Sequence, residues 1–385
     1  MRRIAILLAA IVAGVLVATG VGIAASSSDS PQQTSSVEKD TKVTVMTRNV
    51  YHGVDAEFAQ AIAAPDFRTF LTATAAVYNG YHKRNFPERA DGLAAEIEAT
   101  HPDVVGLQEA ITVRTDRPPD GITTPPNAKQ VSLDYLQILL DKLQARGLHY
   151  EPVVQQDNFD IEAPADENSD GIIDSKDFEL RHTDRIAMLV RTDGKSDIKV
   201  LGTNSGKFQM DSNCKLNTRL LGPIEIVRGW TSVDLSIQGK AVRFINTHLD
   251  GDCSDPKFQR AQAQEILDGP VQDARNKNLP VVLLGDLNSK ADGSGTPTYA
   301  DLLKVGFADA WAEAGSGSGF TCCQDDDLLN KASHLSDRTD FVLFGNGSFQ
   351  TTEVKVVGAS PADRTPSGLW PSDHAGVVAK LRLLF

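Results

Sequence analysis

The sequence predicts a mixed α/β fold whose core is a pair of sheets with helices outside. Three observations point there: strand-like segments outnumber helical ones, the turn Gln238-Gly239-Lys240 joins two strands as a hairpin, and a strand–helix–strand unit opens the folded part. Hairpins mixed with crossovers argue against a Rossmann or barrel repeat. "KVTVMTRNV" (42–50) alternates as a strand does. "PERADGLAAEIEAT" (87–100) carries Ala90, Leu93, Ala94 and Ile97 at helical spacing, and "PDVVGLQE" (102–109) is a short apolar strand ending in polar residues. Residues 111–131, rich in Pro and Thr, read as a surface loop; "LDYLQILLDKLQARG" (133–147) reads as a helix closed by Gly147. Strands follow at 184–191, 230–237, 241–249, 279–289, 337–345 and 375–385, with a helix at 258–269. No internal repeat is visible, and 385 residues fit one large domain, 42–385, with long loops.

The first residues differ. Met1-Arg2-Arg3 precedes a nearly uncharged apolar run from Ile4 to about Ala25, then a Ser-rich stretch. That is an export signal (1–25) followed by a disordered linker (26–41). Cleavage near Ala24 or Ala25 would release a secreted protein, and retention would leave it tethered to the membrane at the cell surface. The formal charge of −13 becomes −15 once the signal is lost, with 51 acids against 36 bases. An acidic body does not hold polyanions by general attraction, so no stable nucleic-acid complex is expected. Four cysteines in an exported chain, Cys214, Cys253, Cys322 and Cys323, suggest up to two disulfides. Because a bond between adjacent cysteines is strained, each of Cys322 and Cys323 is expected to pair with Cys214 or Cys253.

Polar residues gather where strands end or begin. Asn49 follows "VTVMTR", Glu109 follows "VVGLQ", His248 follows "RFINT", and Asp286 with Asn288 follow "VVLLG"; Asp340 opens "FVLF", and Asp373-His374 precede the last strand. Ligands bind at such sheet ends. Singly, each has an ordinary structural role: Asn49 in a turn, Glu109 as a solvated carboxylate, Asp286 as a cap, His374 bonded to Asp340 in a core. The conjunction carries the functional reading.

"TRNV", "VVGLQE", "NTHLD", "LLGDLNS", "DRTDFVL" and "SDHAGV", in this order from Lys42 to Phe385, resemble the endonuclease/exonuclease/phosphatase (DNase-I-like) superfamily. The resemblance implies a four-layered α/β/β/α sandwich with mixed, mostly antiparallel sheets. It also implies an enzyme that hydrolyses phosphate esters by metal- and His-assisted attack of water. Glu109 would ligate Mg²⁺ or Mn²⁺ with Asn49 and Asp373, hard oxygen ligands suited to an ion that keeps waters. Asp286 would orient or deprotonate the water and Asn288 would hold the phosphate. His248 and His374, the latter oriented by Asp340, would stabilise charge on the phosphoryl oxygens, one of them protonating the leaving oxygen. Thr339 stands where the family carries an aliphatic residue, and "NTHLDGDCSD" has no subfamily signature after its histidine. The substrate stays open among a lipid headgroup, a nucleic acid and a small molecule, acted on by a monomer. Trp370 is read as packing rather than a membrane anchor. His52 is the likeliest additional site histidine, whereas His82, His101 and His149 read as structural or surface residues. Residues 315–330 form a loop near the site.

"DENSDGIIDSKD" (166–177) is a motif of another kind. Asp166, Asn168, Asp170, the Ile172 carbonyl, Asp174 and Asp177 occupy EF-hand ligand positions around Gly171, with Ile173 as the inward apolar residue. A calcium-dependent binding module of EF-hand type would need a second loop, which the sequence lacks, and Pro164 interrupts an entering helix. The expectation is therefore a structural Ca²⁺ clamp on a loop inserted into an enzyme.

Overall fold

The computed structural model describes residues 40–122, 125–194 and 197–384. The export segment and the linker up to Lys39 lie outside the described residues, and among those described no helix is long and apolar enough to cross a membrane.

Strand alternation decides the layering. Val282 and Leu284 of the strand Val281–Asp286 join one apolar cluster and Leu283 joins another; Val342 and Phe344 separate in the same way from Phe341 and Leu343. In the other sheet, Met188 and Val190 face one cluster while Ala187 and Leu189 face a third. The cluster shared by both sheets, with Val45, Val104, Phe244 and Phe344, is the central layer. Outside it, Phe70, Leu93 and Leu136 from helices cover one sheet, and Ala263, Ile266 and Leu302 cover the other. The result is helix, sheet, sheet, helix. Phe244 is wholly buried in the middle, and Phe244→Ala is expected to cost about 3–5 kcal/mol in urea unfolding.

The eight-stranded sheet runs in the order Phe349–Val357, Gly376–Leu383, Lys42–Asn49, Val104–Gln108, Phe178–Arg191, Thr112–Asp116 and Gln130–Asp134, with Tyr150–Ala165 also paired to Phe178–Arg191. The six-stranded sheet runs Phe307–Asp309, Asp340–Gly345, Val281–Asp286, Lys240–His248, Gly229–Ile237 and Ile198–Lys207. Parallel neighbours bring strand ends together: Asn49 is in register with Gln108, and His248 with Asp286, which in turn faces Asp340. The two sheets touch through Asn246, whose amide donates to Leu107 O and Ala187 O (3.0 and 3.1 Å) and whose oxygen accepts from Gln108 (2.6 Å). Gly106 is required there, because a Cβ would lie 2.7 Å from Asn246 Oδ1.

Residues 111–131 are not all loop. Thr112–Asp116 and Gln130–Asp134 pair antiparallel at the sheet edge, and the Pro-rich character belongs to the connection between them. The following helix starts at Tyr135, capped by the Asp134 side chain. "DRIAMLVR" is the second half of a longer strand, Phe178–Arg191. The disulfide expectation is also corrected: Cys214 bonds Cys253, with Cα atoms 5.8 Å apart, and Cys322 bonds Cys323. Cys214 and Cys253 both lie beside Asp250, whereas Cys322 and Cys323 lie by His374, held through backbone bonds to Asp337.

Candidate active site

Two buried arginines prepare the strand ends. Arg48 binds Glu96 through two bonds of 2.9 Å and also donates to His374 O, tying the first strand to the helix Phe86–Thr100 and to the segment before the last strand. Arg89 donates to the carbonyls of Val50, Tyr51, Arg84 and Pro371 (2.8–2.9 Å), which fixes the chain on both sides of the site. Neither arginine was singled out in the sequence; "PERADG" carries Arg89 as one polar residue of an amphipathic helix.

Asn49 stands at the centre. Its amide nitrogen donates to Glu109 Oε1 (2.9 Å) and Asp286 Oδ2 (3.2 Å), and its oxygen accepts from Tyr51 N (2.9 Å). Glu109 Oε2 accepts from His52 N at 2.7 Å. His52 is therefore at the site, with Nε2 2.9 Å from Asp55. Burial works against charge on this ring, but Asp55 and Glu109 outweigh it and push the imidazole up to about 10.

Asp286 Oδ1 accepts from Asn288 N (2.9 Å), and its Oδ2 faces two imidazoles, His248 Nε2 at 3.7 Å and His374 Nε2 at 3.6 Å. Burial, reinforced by Asp340, pushes the Asp286 carboxyl up; Asp373 is pushed up by burial too. His374 Nδ1 binds Asp340 Oδ2 at 2.8 Å. Burial disfavours its charge, but Asp340, Asp373 and Asp286 together hold the ring protonated. Thr339 donates to the same Asp340 oxygen at 3.2 Å, so the residue that departs from the family pattern leaves the Asp340–His374 bond in place.

His248 is the opposite case. Burial and the adjacent Arg228 hold it well below the ordinary imidazole range. Arg228 Nη1 lies 3.0 Å from its Nδ1, and a guanidinium can only donate. The neutral ring therefore carries its proton on Nε2, the atom facing Asp286. Asn288 Nδ2, 3.1 Å from that atom, gives one of its two hydrogens to Leu249 O (3.0 Å), and its second hydrogen opposes the Nε2–H that Arg228 enforces. Arg228 also pairs with Asp184 at 3.5 Å and Asp252 at 3.0 Å. Arg228 and Asp184 went unnoticed in the sequence: "IVRGW" and "TDRIA" carry no pattern that marks them.

The seven residues Asn49, Glu109, His248, Asp286, Asn288, Asp340 and His374 thus meet at one end of both sheets, with Asp373 adjoining. Hard oxygens from Glu109 and Asp373 suit a divalent ion, whereas Asn49 turns its amide nitrogen to Glu109 and its oxygen to Tyr51 N and would have to flip its amide to join them. Asp184 Oδ1, on a carboxyl close enough to feel the charge of Glu109, is buried with no hydrogen-bond partner. Residues 321–330 border the site: Gln324 N donates to Asp373 O, and Ala375 N donates to Thr321 O. Trp370 is fully buried against Tyr51 and Leu328 and donates to Asn330 O at 2.8 Å, as packing requires. Beside Arg228 and Asp184 opens a cavity of about 340 Å³ walled by Phe58, Phe159, Ile161, Ile224 and Ile226.

The 166–177 loop caps the hairpin of Tyr150–Ala165 and Phe178–Arg191. Asp166 Oδ2 accepts from Gly171 N (2.8 Å), and Asp177 accepts from Glu167 N and Asp174 N (3.0 and 2.8 Å). Gly171 has φ +82°, and Ile173 packs into the core while Ile172 is exposed. The loop rests on the helix Phe67–Lys83 through Arg68, which donates to Asp170 O. Six residues of extended chain lie between Asp177 and Asp184, roughly 20 Å along the strand, which sets the loop away from Asp184.

The endonuclease/exonuclease/phosphatase family pattern matches residues 49–374. No curated protein matches the chain. Among solved structures, an endonuclease/exonuclease/phosphatase family protein from Bacteroides thetaiotaomicron is 16% identical, with 90% of this chain and 96% of that one covered and a TM-score of 0.52. A mannosyl-6-phosphatase from the same species is 17% identical, covering 88% and 99%, at TM-score 0.51. A family protein from Bacteroides vulgatus is 16% identical, covering 89% and 99%, at TM-score 0.50. These likenesses support the sandwich architecture, and the match that opens on Asn49 and closes on His374 makes this chain a member of the endonuclease/exonuclease/phosphatase family.

Proposed function

We propose that this phosphate-ester hydrolase is an exported, divalent-metal-dependent phosphodiesterase. The observation that carries the reading is the buried cluster in which Asp286 faces a protonated His374 and a neutral His248 across less than 4 Å. Mg²⁺ or Mn²⁺ held by Glu109, Asn49 and Asp373 would polarise a phosphoryl oxygen and offset developing charge. Asp286, raised by burial, orients the attacking water and takes its proton. Asn288 holds a phosphoryl oxygen. His248 offers its Nε2–H to the phosphoryl group, with Arg228 fixing the tautomer, and His374 supplies positive charge and a proton for the leaving oxygen.

The apolar cavity beside Arg228 favours a phosphodiester that carries an apolar group, such as a lipid, and the acidic body disfavours a long duplex. Calcium at 166–177 is assigned a structural role, supported by the buried, unpartnered Asp166 Oδ1 at the first ligand position. The apolar run at 4–25 supports export.

Purified protein stripped with chelator and re-supplied with Mg²⁺ should hydrolyse bis-(p-nitrophenyl) phosphate. Full activity in Asp286→Ala and His374→Ala variants would remove the proposed site. A parallel panel of sphingomyelin, phosphatidylinositol, plasmid DNA and a phosphomonoester assigns the substrate, and preference for DNA would overturn the lipid reading.

A further inference from the structure

A second group of carboxylates lies away from the active site. Glu162 and Glu179 stand on paired strands, opposite Arg181 and Pro164 respectively, so both side chains leave the same face. Asp120 reaches them from the connection between Thr112–Asp116 and Gln130–Asp134. One oxygen from each of the three lies within 4.8 Å of the others. Both glutamates are buried, at 2% and 1% exposure.

Most donors in the neighbourhood are accounted for. Gly121 N donates to Glu179 Oε1 (2.6 Å), Asn127 N and Ala128 N donate to Glu162 Oε2 (2.9 and 2.6 Å), and Asn127 Nδ2 donates to Asp120 Oδ2 (2.9 Å). Glu179 Oε2 is left buried with no partner. Such an oxygen is costly, and two neighbouring carboxylates increase the cost. Arg181, across from Glu162, gives its Nε and Nη2 hydrogens to Asp160 (2.9 and 2.7 Å), and Arg117 binds Glu167 at 2.7 Å, so neither guanidinium hydrogen-bonds Glu179 Oε2.

We infer that Asp120, Glu162 and Glu179 form a divalent-cation site of calcium type, separate from both the catalytic centre and the 166–177 loop. An all-oxygen set suits Ca²⁺, which completes its shell with backbone carbonyls and water and tolerates irregular geometry, better than Mg²⁺. The ion fastens Asp120 onto the hairpin whose tip is the 166–177 loop. The rival arrangement is a proton shared between Glu162 and Glu179, with no metal.

The test uses the whole protein in an Asp170→Ala background, which disables the loop. Calcium equivalents are counted by titration calorimetry, and melting is followed with Ca²⁺ and with chelator. The Asp170→Ala protein should bind one more equivalent than Asp170→Ala/Glu179→Gln, and only the former should gain thermal stability from Ca²⁺ through this site. Equal stoichiometry and equal calcium response in the two would overturn the inference and leave the shared proton. If Glu179→Gln fails to fold, Asp120→Asn at the exposed ligand should weaken the extra equivalent about tenfold; unchanged affinity there would likewise count against the site.

Discussion

The 166–177 loop gathers its carboxylates from within twelve consecutive residues, whereas the strand-end site draws on positions from 49 to 374. In the loop, backbone N–H groups of Glu167, Asp170, Gly171 and Asp174 already hold the side chains by local hydrogen bonds. At the strand ends, the sheets do that work: register sets Asn49 beside Gln108, His248 beside Asp286, and Asp286 opposite Asp340. The loop is solvated over much of its length, while Asp286 and Asp340 are each 1% exposed. Local turns can hold a hard cation whose geometry is permissive. Perturbing two imidazoles in opposite directions requires a buried, rigid frame.

Breaking the buried frame should therefore have the largest effect. Asp286→Ala and His374→Ala are each expected to lower kcat by about 10²- to 10⁴-fold, read in steady-state hydrolysis of bis-(p-nitrophenyl) phosphate. Arg228→Met removes the donor that sets the His248 tautomer and releases Asp184, and a fall of roughly 10- to 100-fold in kcat is expected. Arg228→Lys should recover part of it, and a loss confined to KM would argue against this positioning role. Phe58→Ala opens the apolar cavity, and should raise KM for a substrate with an apolar group by about 10-fold while sparing a small one. An equal change for both substrates would mean that the cavity wall supports the fold and does not select.

The strands that carry the site were readable because alternation and apolar runs such as "VVLLGD" are local signals. The site residues at their ends became convincing only through the family resemblance, since each alone could be a cap or a turn. His182, Asp184 and Arg228 were not legible. His182 takes its environment from Tyr81, whose hydroxyl lies 2.7 Å away and 101 positions earlier, and burial holds its imidazole down to about 3. Helices Asp55–Ile62 and Phe67–Lys83 were also missed, and Tyr150–Ala165 was legible only as an extended stretch ending near Ile161. In Tyr150–Ala165 polar residues interrupt alternation, and the strand is specified by its partner Phe178–Arg191, with two register shifts. The disulfide pairing failed for a related reason, because whether Cys214 meets Cys253 depends on the hairpin Cys214–Thr218/Gly222–Ile226 folding back beside Asp250.

The smallest expected effect separates the two regions most sharply. If the loop is an independent clamp, Asp170→Ala should abolish its share of the calcium-induced rise in melting temperature, a few degrees, and leave kcat within about twofold. The physical basis is separation: the loop packs on Arg68 and Leu71 of the helix Phe67–Lys83, and Asp166 N donates to Leu71 O, while Asp184 lies farther along the strand. That helix nevertheless also presents Tyr81, which bonds His182 next to His52. Coupling has a physical route from the loop through this helix to the His52–Glu109 edge of the site, beside the strand Phe178–Arg191 itself. A fall in kcat that follows calcium loss in wild type and is permanent in Asp170→Ala would show that the route is used, and the loop would then be part of the enzyme's working parts rather than a local fastening.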